Sequence, residues 1–263
     1  MPSTHPIGER LREWRQRRRL SQLDLALEAN ISARHLSFVE TGRSRPSREV
    51  VLRLAERLDV PLRERNAMLV AAGFAPVFAE RPLDDRALAP AAQAIERVLK
   101  GHEPFPALAV DRHWTMVKAN AAVPRLIAGV EATLLQPPVN VLRLSLHPQG
   151  LAPRIANLAE WRGHLLARLR RQVELSADAV LTDLLRELSA YPAPLSPRAP
   201  AASDEACAIA VPLRLVTPAG VLSFLSTTTV FGTPIDVTLS ELALEAFFPT
   251  DEATAERLRA LAG

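Results

Sequence analysis

The chain has 263 residues, 48% of them apolar and 23% charged, with a formal net charge of +3. That balance excludes a wholly disordered protein, and no apolar run reaches the ~18–20 residues of a membrane span. A single cysteine, Cys207, rules out an intrachain disulfide and a cysteine zinc cluster, and reads as a small buried hydrophobe at the start of a strand. The N-terminus carries charges but no apolar h-region, so no signal peptide is expected and a cytoplasmic location is. The Ala-, Arg-, Leu- and Pro-rich composition suggests a bacterial source. Charge is uneven: residues 1–48 hold ten Arg against five acids, whereas 81–263 hold 18 basic and 19 acidic residues. A basic segment joined to a near-neutral one suggests a polyanion-binding module attached to something else, or simply a solvated Arg-rich face.

In chain order, residues 7–19 carry Ile7, Leu11 and Trp14 at helical spacing. Ser21 and Asp24 form an S-x-x-D box that opens a second helix, which stops near Asn30. Ser32 caps a third helix that ends at Gly42, and Ser47 caps a fourth that Pro61 ends. A fifth runs over 62–72 and stops at Gly73. The spacing therefore predicts five helices in an all-helical domain over 1–75. Residues 76–90 lose periodicity and gain prolines, which marks a linker.

The region 91–263 mixes helix and strand signals. An amphipathic helix is predicted at 91–100, short strands at 106–111 and 114–118, and helices at 120–127, 154–175 and 177–188. A Pro-rich loop covers 191–203; Ile209, Val211, Leu213 and Leu215 alternate as in a half-buried strand. Thr217 to Gly220 separates this from a β-branched stretch at 221–231, predicting a hairpin. A last strand is expected at 242–248 and a closing helix at 251–261. The fold class is thus an N-terminal helical domain followed by an α+β domain with an antiparallel sheet covered by helices.

The second and third helices, joined through Asn30, Ile31 and Ser32, have helix-turn-helix spacing. At ~100° per residue, Leu36 and Val39 share one face of the third helix with Ile31 behind them, while Arg34, Ser37 and Phe38 point away. A helix fits the major groove, where Arg reads guanine and an aromatic meets the thymine methyl. Phe38 either makes such a contact or packs on a neighbouring element. Arg43 and Arg45, just past Gly42, suit phosphates or are merely solvated.

The pattern L-S-Q-x-x-L-A at 20–26, followed by I-S-x-x-x-L-S-x-x-E-x-G-R-x-R-P-S at 31–47, resembles the lambda-repressor-like, or XRE-type, helix-turn-helix family. The resemblance implies that Gln22 contacts phosphate or a base edge. It implies base-reading positions at Ser32, Ala33, Arg34 and Phe38, with His35, Arg43 and Arg45 near the DNA backbone. Ala33 stands where a longer polar residue is common, leaving a methyl contact at most. A double-stranded operator and a homodimer on paired half-sites are the expected partners.

No catalytic constellation, Walker loop or G-x-G-x-x-G occurs, and the six histidines lack metal-ligand spacing, so neither an enzyme nor a cofactor is expected. Segments 106–122, 140–151 (N-V-L-R-L-S-L-H-P-Q-G-L) and 222–254 resemble the MmyB-like transcription regulators. That resemblance implies a PAS-like domain for a small hydrophobic, fatty-acid-like ligand. A sheet face of Leu, Val and Phe, Phe224 among them, permits an apolar pocket. Arg143, His147 and Arg154 are candidate carboxylate partners, and Asn120, Asn140 and Asn157 candidate amide donors. The arginines are equally readable as surface charges and the asparagines as helix caps, while Trp114 and Trp161 fit either core or pocket wall. The alternative reading is a constitutive repressor or antitoxin-like regulator whose second domain only mediates association.

Overall fold

The computed structural model describes residues 6–192 and 211–262. Cys207, Ile209 and most of the Pro-rich loop lie outside the described residues. The described chain forms two compact units. One comprises residues up to Arg81 with Glu174–Ser176 and Thr233–Ser240; the other comprises Pro82–Val173, Ala177–Gly232 and Glu241 onward.

The N-terminal unit holds the five expected helices: α1 (Ile7–Arg17), α2 (Gln22–Glu28), α3 (Ala33–Glu40), α4 (Arg48–Arg57) and α5 (Leu62–Ala71). Their starts follow the predicted chemistry. Ser21 accepts from the Asp24 N–H while Asp24 accepts from the Ser21 N–H, a complete capping box. Ser32 and Ser47 cap α3 and α4 with their hydroxyls, which accept from the N–H groups of His35 and Val50. Asn30 ends the α2 region with φ 51°, a left-handed turn that Asn tolerates. Leu11, Leu25, Leu36, Val39, Leu54, Leu58, Met68 and Leu69 are fully buried and form the core. Gly8 lets α1 lie against the end of α3: a Cβ there would meet the Val39 carbonyl oxygen at 2.5 Å and that of Glu40 at 2.6 Å.

The second unit carries one antiparallel sheet of β1 (Ala107–Val110), β2 (Met116–Ala119), β3 (Leu213–Thr217), β4 (Gly220–Val230) and β5 (Ala243–Pro249), in the order β2-β1-β5-β4-β3. The predicted hairpin is β3–β4, with Thr217 opposite Gly220. Gly220 takes φ 111°, which requires glycine. Covering the sheet are α6 (Ala89–Gly101), α7 (Ala122–Leu126), α8 (Val141–Leu146), the 19-residue α9 (Leu158–Ser176) and α10 (Ala179–Ala190). A helical turn, α11 (Val237–Ser240), precedes β5, and α12 (Glu252–Ala262) follows it. The α+β expectation holds. Helix α9 starts at Leu158 rather than 154, because Ala152–Arg154 forms a separate 3-10 turn and Asn157 bonds Pro212 and Arg214 of the β3 side. Helix α8 was not anticipated: six residues are too few for periodicity to register, and its start rests on the Asn140 cap.

Candidate functional site

On α3 the buried residues are Leu36, Val39 and Glu40, so the opposite face is presented outward as helical spacing requires. Ser32 and Arg34 are exposed; Ala33, His35, Ser37 and Phe38 are partly so. Phe38 is not a bare apolar surface. The Arg34 guanidinium lies 5.3 Å from its ring centroid and the Arg43 guanidinium 6.0 Å, so two cations lie within cation–π range of one ring. Phe38 also anchors the loop beyond α3: its carbonyl accepts from the N–H groups of Arg43 and Ser44. Gly42, at φ 73°, provides the turn that carries Arg43 and Arg45 back alongside the helix, both exposed.

Beneath this surface lies a group that the sequence reading did not single out. The Glu40 side chain is fully buried, yet it is charged and satisfied. Arg15 of α1 grips it bidentately at 2.7 and 2.8 Å, and Arg12 approaches to 3.7 Å. Gln22 donates its amide to the same carboxylate at 2.8 Å. Gln22, expected to contact phosphate or a base edge, is placed with its amide nitrogen tying α2 to the end of α3, since a buried carboxylate demands donors. Burial drives the Glu40 carboxyl up, but the hydrogen bonds from Arg15 and Gln22 outweigh it and hold it below the usual glutamate value. The signal was present in the E-x-G of the motif, an acid inside an otherwise inward-facing run.

In the second unit a cavity of about 100 Å³ lies between the sheet and its helical cover. Strand alternation places Leu108 of β1, Phe224 and Ser226 of β4, and Glu245 and Phe247 of β5 on its wall. Helix α9 supplies Trp161, Leu165 and Arg168, spaced four and three apart and hence on one face. Trp114 comes from the turn between β1 and β2. Asp111 builds that turn by accepting from the N–H groups of His113 and Thr115, and Trp114 itself adopts φ 66°. Such a conformation costs about 1–3 kcal/mol in a bulky residue, which the surrounding packing must offset. Both indoles are satisfied: Trp114 donates to Gln172 at 2.7 Å and Trp161 to Ser145 at 3.0 Å.

One ion pair interrupts the apolar wall. Arg168 reaches Glu245 at 2.6 and 3.2 Å and Thr228 at 2.7 Å, with its guanidinium stacked 4.5 Å over Trp114. Of the expected pocket residues, Trp114 and Phe224 line the cavity. The others are placed elsewhere. Arg143 pairs with Glu187 on the surface, because a half-exposed guanidinium finds a carboxylate at 2.7 Å on α10. Arg154 binds the carbonyls of Val216 and Ala128. His147 ends α8 and packs edge-on against Tyr191. Asn140 caps α8; Asn157 holds Pro212; Asn120 is buried and bonds the carbonyls of Leu99 and Phe105. Arg168 and Glu245 went unnoticed because each sits in an apolar pattern that reads as core, although a charge inside such a stripe is itself the signal.

Two family descriptions match the chain: Helix-turn-helix over residues 11–65 and MmyB-like transcription regulator ligand binding domain over residues 91–261. No curated protein matches it significantly. Both are transcription-regulator domains and neither is an enzyme family. Among the described residues no helix is long and apolar enough to cross a membrane, and no His, Cys, Asp and Glu cluster has metal-binding geometry. With a helix-turn-helix in one unit and a walled apolar cavity in the other, the chain belongs to the MmyB-like transcription regulators: a DNA-binding helix-turn-helix followed by a ligand-binding domain.

Proposed function

We propose that this regulator reads a double-stranded operator through α3 and that the cavity of its second unit takes a small hydrophobic, fatty-acid-like molecule, a flexible apolar chain with one polar end. The DNA module corresponds to residues 1–75 and the ligand-binding domain to 91–263, with a linker between them. Arg34, Ser37, Phe38 and the first-turn residues Ser32 and Ala33 face the bases; His35, Arg43 and Arg45 face the backbone, and any DNA contact by Gln22 is made alongside its bond to Glu40. The protein acts as a cytoplasmic bacterial homodimer, because one such helix reads only a few base pairs and paired half-sites supply the rest.

The observation that carries the ligand reading is the cavity itself, apolar apart from the Arg168–Glu245 pair and a few hydroxyls. Its volume of about 100 Å³ is below the ~300–1,000 Å³ of pockets that hold drug-sized ligands. A chain longer than the cavity therefore enters only by favouring a wider packing, and that differential affinity is what a ligand needs to shift an equilibrium. Native mass spectrometry of protein purified without denaturant tests this: a retained acyl ligand gives a discrete added mass. Absence of that mass, together with no binding of added octyl compounds, favours the second domain as a pure association module.

A further inference from the structure

We propose that the outer face of the sheet, over β3, β4 and the end of β5, is the surface through which two copies of this chain associate, with Leu225 at its centre and Arg214 and Asp251 on its two rims. The proposal rests on the reading of the protein as a homodimer and names the surface that joins the copies.

Register fixes which side chains share this face. Val216 lies opposite Val221, and Leu225 lies opposite Phe248. Along β4, residues 221, 223 and 225 alternate with Leu222 and Phe224, which are buried in the core on the other side of the sheet. The four apolar side chains therefore form two cross-strand pairs on one face. Each remains 38–45% exposed. A lone exposed valine is ordinary in a globular protein, whereas a continuous apolar patch across three strands marks an interaction surface. The patch is also held in shape: His102 packs edge-on against Phe248 with 4.6 Å between ring centroids, and its Nε2 lies 3.1 Å from the Phe247 carbonyl oxygen.

The rim identifies the occupant. Arg214 is exposed and stands opposite Ser223, on the same face. Among the described residues its guanidinium makes no hydrogen bond or ion pair. On the other flank of β4, the Ser223 carbonyl accepts from the Thr250 N–H, which places the exposed Asp251, the cap of α12, at the opposite rim. Arg257, the cation beside Asp251, is engaged with the Val221 carbonyl. A cation on one side of β4 and an anion on the other make the face complementary to itself. A two-fold axis running along β4 in the plane of contact brings Arg214 of each copy over Asp251 of the other, and it sets Val221 and Leu225 against their own counterparts. Such a contact closes at two copies. It also keeps the strands of the two sheets nearly aligned, a common way for sheet faces to pack. A helix-turn-helix that reads paired half-sites requires a partner related in this way.

Size exclusion with light scattering, run on the full chain over a hundredfold range of concentration, tests the proposal, with circular dichroism as the check on folding. The native protein should give twice the mass of one chain. Leu225→Glu should raise the dissociation constant at least tenfold, whereas Val180→Glu, an equally exposed apolar position on α10, should leave it within threefold. If Leu225→Glu does not fold, Arg214→Glu takes its place; it sets like charges together at both rims and should also weaken the dimer at least tenfold. A native protein that stays monomeric throughout refutes the homodimer reading, and the surface falls with it. A native dimer that a folded Leu225→Glu or Arg214→Glu variant leaves intact overturns the surface while the homodimer reading stands. Equal dissociation by Val180→Glu overturns the surface as well.

Discussion

Glu40 joins three helices at one carboxylate, holding Arg15 of α1 and Gln22 of α2 to the end of α3. Removing its charge strands Arg15, whose side chain is only 12% exposed. Glu40→Gln should destabilise the N-terminal unit by about 3 kcal/mol at neutral pH, measured by urea unfolding. The pH dependence follows from its lowered value. A depressed carboxyl contributes stability above its unfolded-state value, and the contribution is lost as pH falls through the folded one. Unfolding should therefore become easier as pH drops below the ordinary glutamate value of 4.5, and Glu40→Gln should flatten that trend. A variant with native stability and native acid sensitivity would show that the carboxylate is not the tie described. At the same scale, Arg34→Ala should cost about 1–3 kcal/mol of operator binding and relax preference at one base pair. It also removes one of the two cations near the Phe38 ring. Arg43→Ala should weaken binding to every sequence alike and lower the salt slope by about one unit, read from affinities across a salt series.

Among elements, the first five helices were legible because each carries its own start and stop: the serine caps, Asn30, Gly42 and Gly73 act locally. The β3–β4 hairpin was legible for the same reason. What sequence periodicity does not encode is which partner a helix face finds. The helix at 154–175 was read from its amphipathic pattern alone, and only the sheet opposite α9 reveals that Arg168 meets Glu245, 77 residues away. Arg143 and Arg154 looked equally suited to a carboxylate, but their own neighbourhoods supply Glu187 and backbone carbonyls first. Gly8 gives the same lesson in packing terms. Within α1 it looks like a weak helix former, yet its missing Cβ is what admits the Val39 and Glu40 carbonyls. Gly8→Ala should thus destabilise by about 1–3 kcal/mol, although alanine ordinarily favours a helix. Thermal melting with an unchanged or raised midpoint would contradict that close approach.

For the molecule as a whole, the proposed switch predicts that an octyl ligand saturating the cavity changes operator affinity. Gel retardation at fixed salt, with and without ligand, should give midpoints at least threefold apart; coincident curves would separate binding from regulation. Between β4 and β5 the chain leaves the second unit, and Thr233–Ser240 belongs to the first. There Asp236 is buried and pairs with Arg81 at 3.1 Å, the Val237 N–H donates to the Ala79 carbonyl, and the Thr238 hydroxyl donates to the Arg81 carbonyl. The N-terminal unit is therefore completed by a clip encoded some 150 residues downstream. A gene fragment ending at residue 81 would yield helices that lack this clip, with Ala79 and Arg81 left to water, and a synthetic peptide of residues 233–240 added in trans should restore part of the lost thermal resistance.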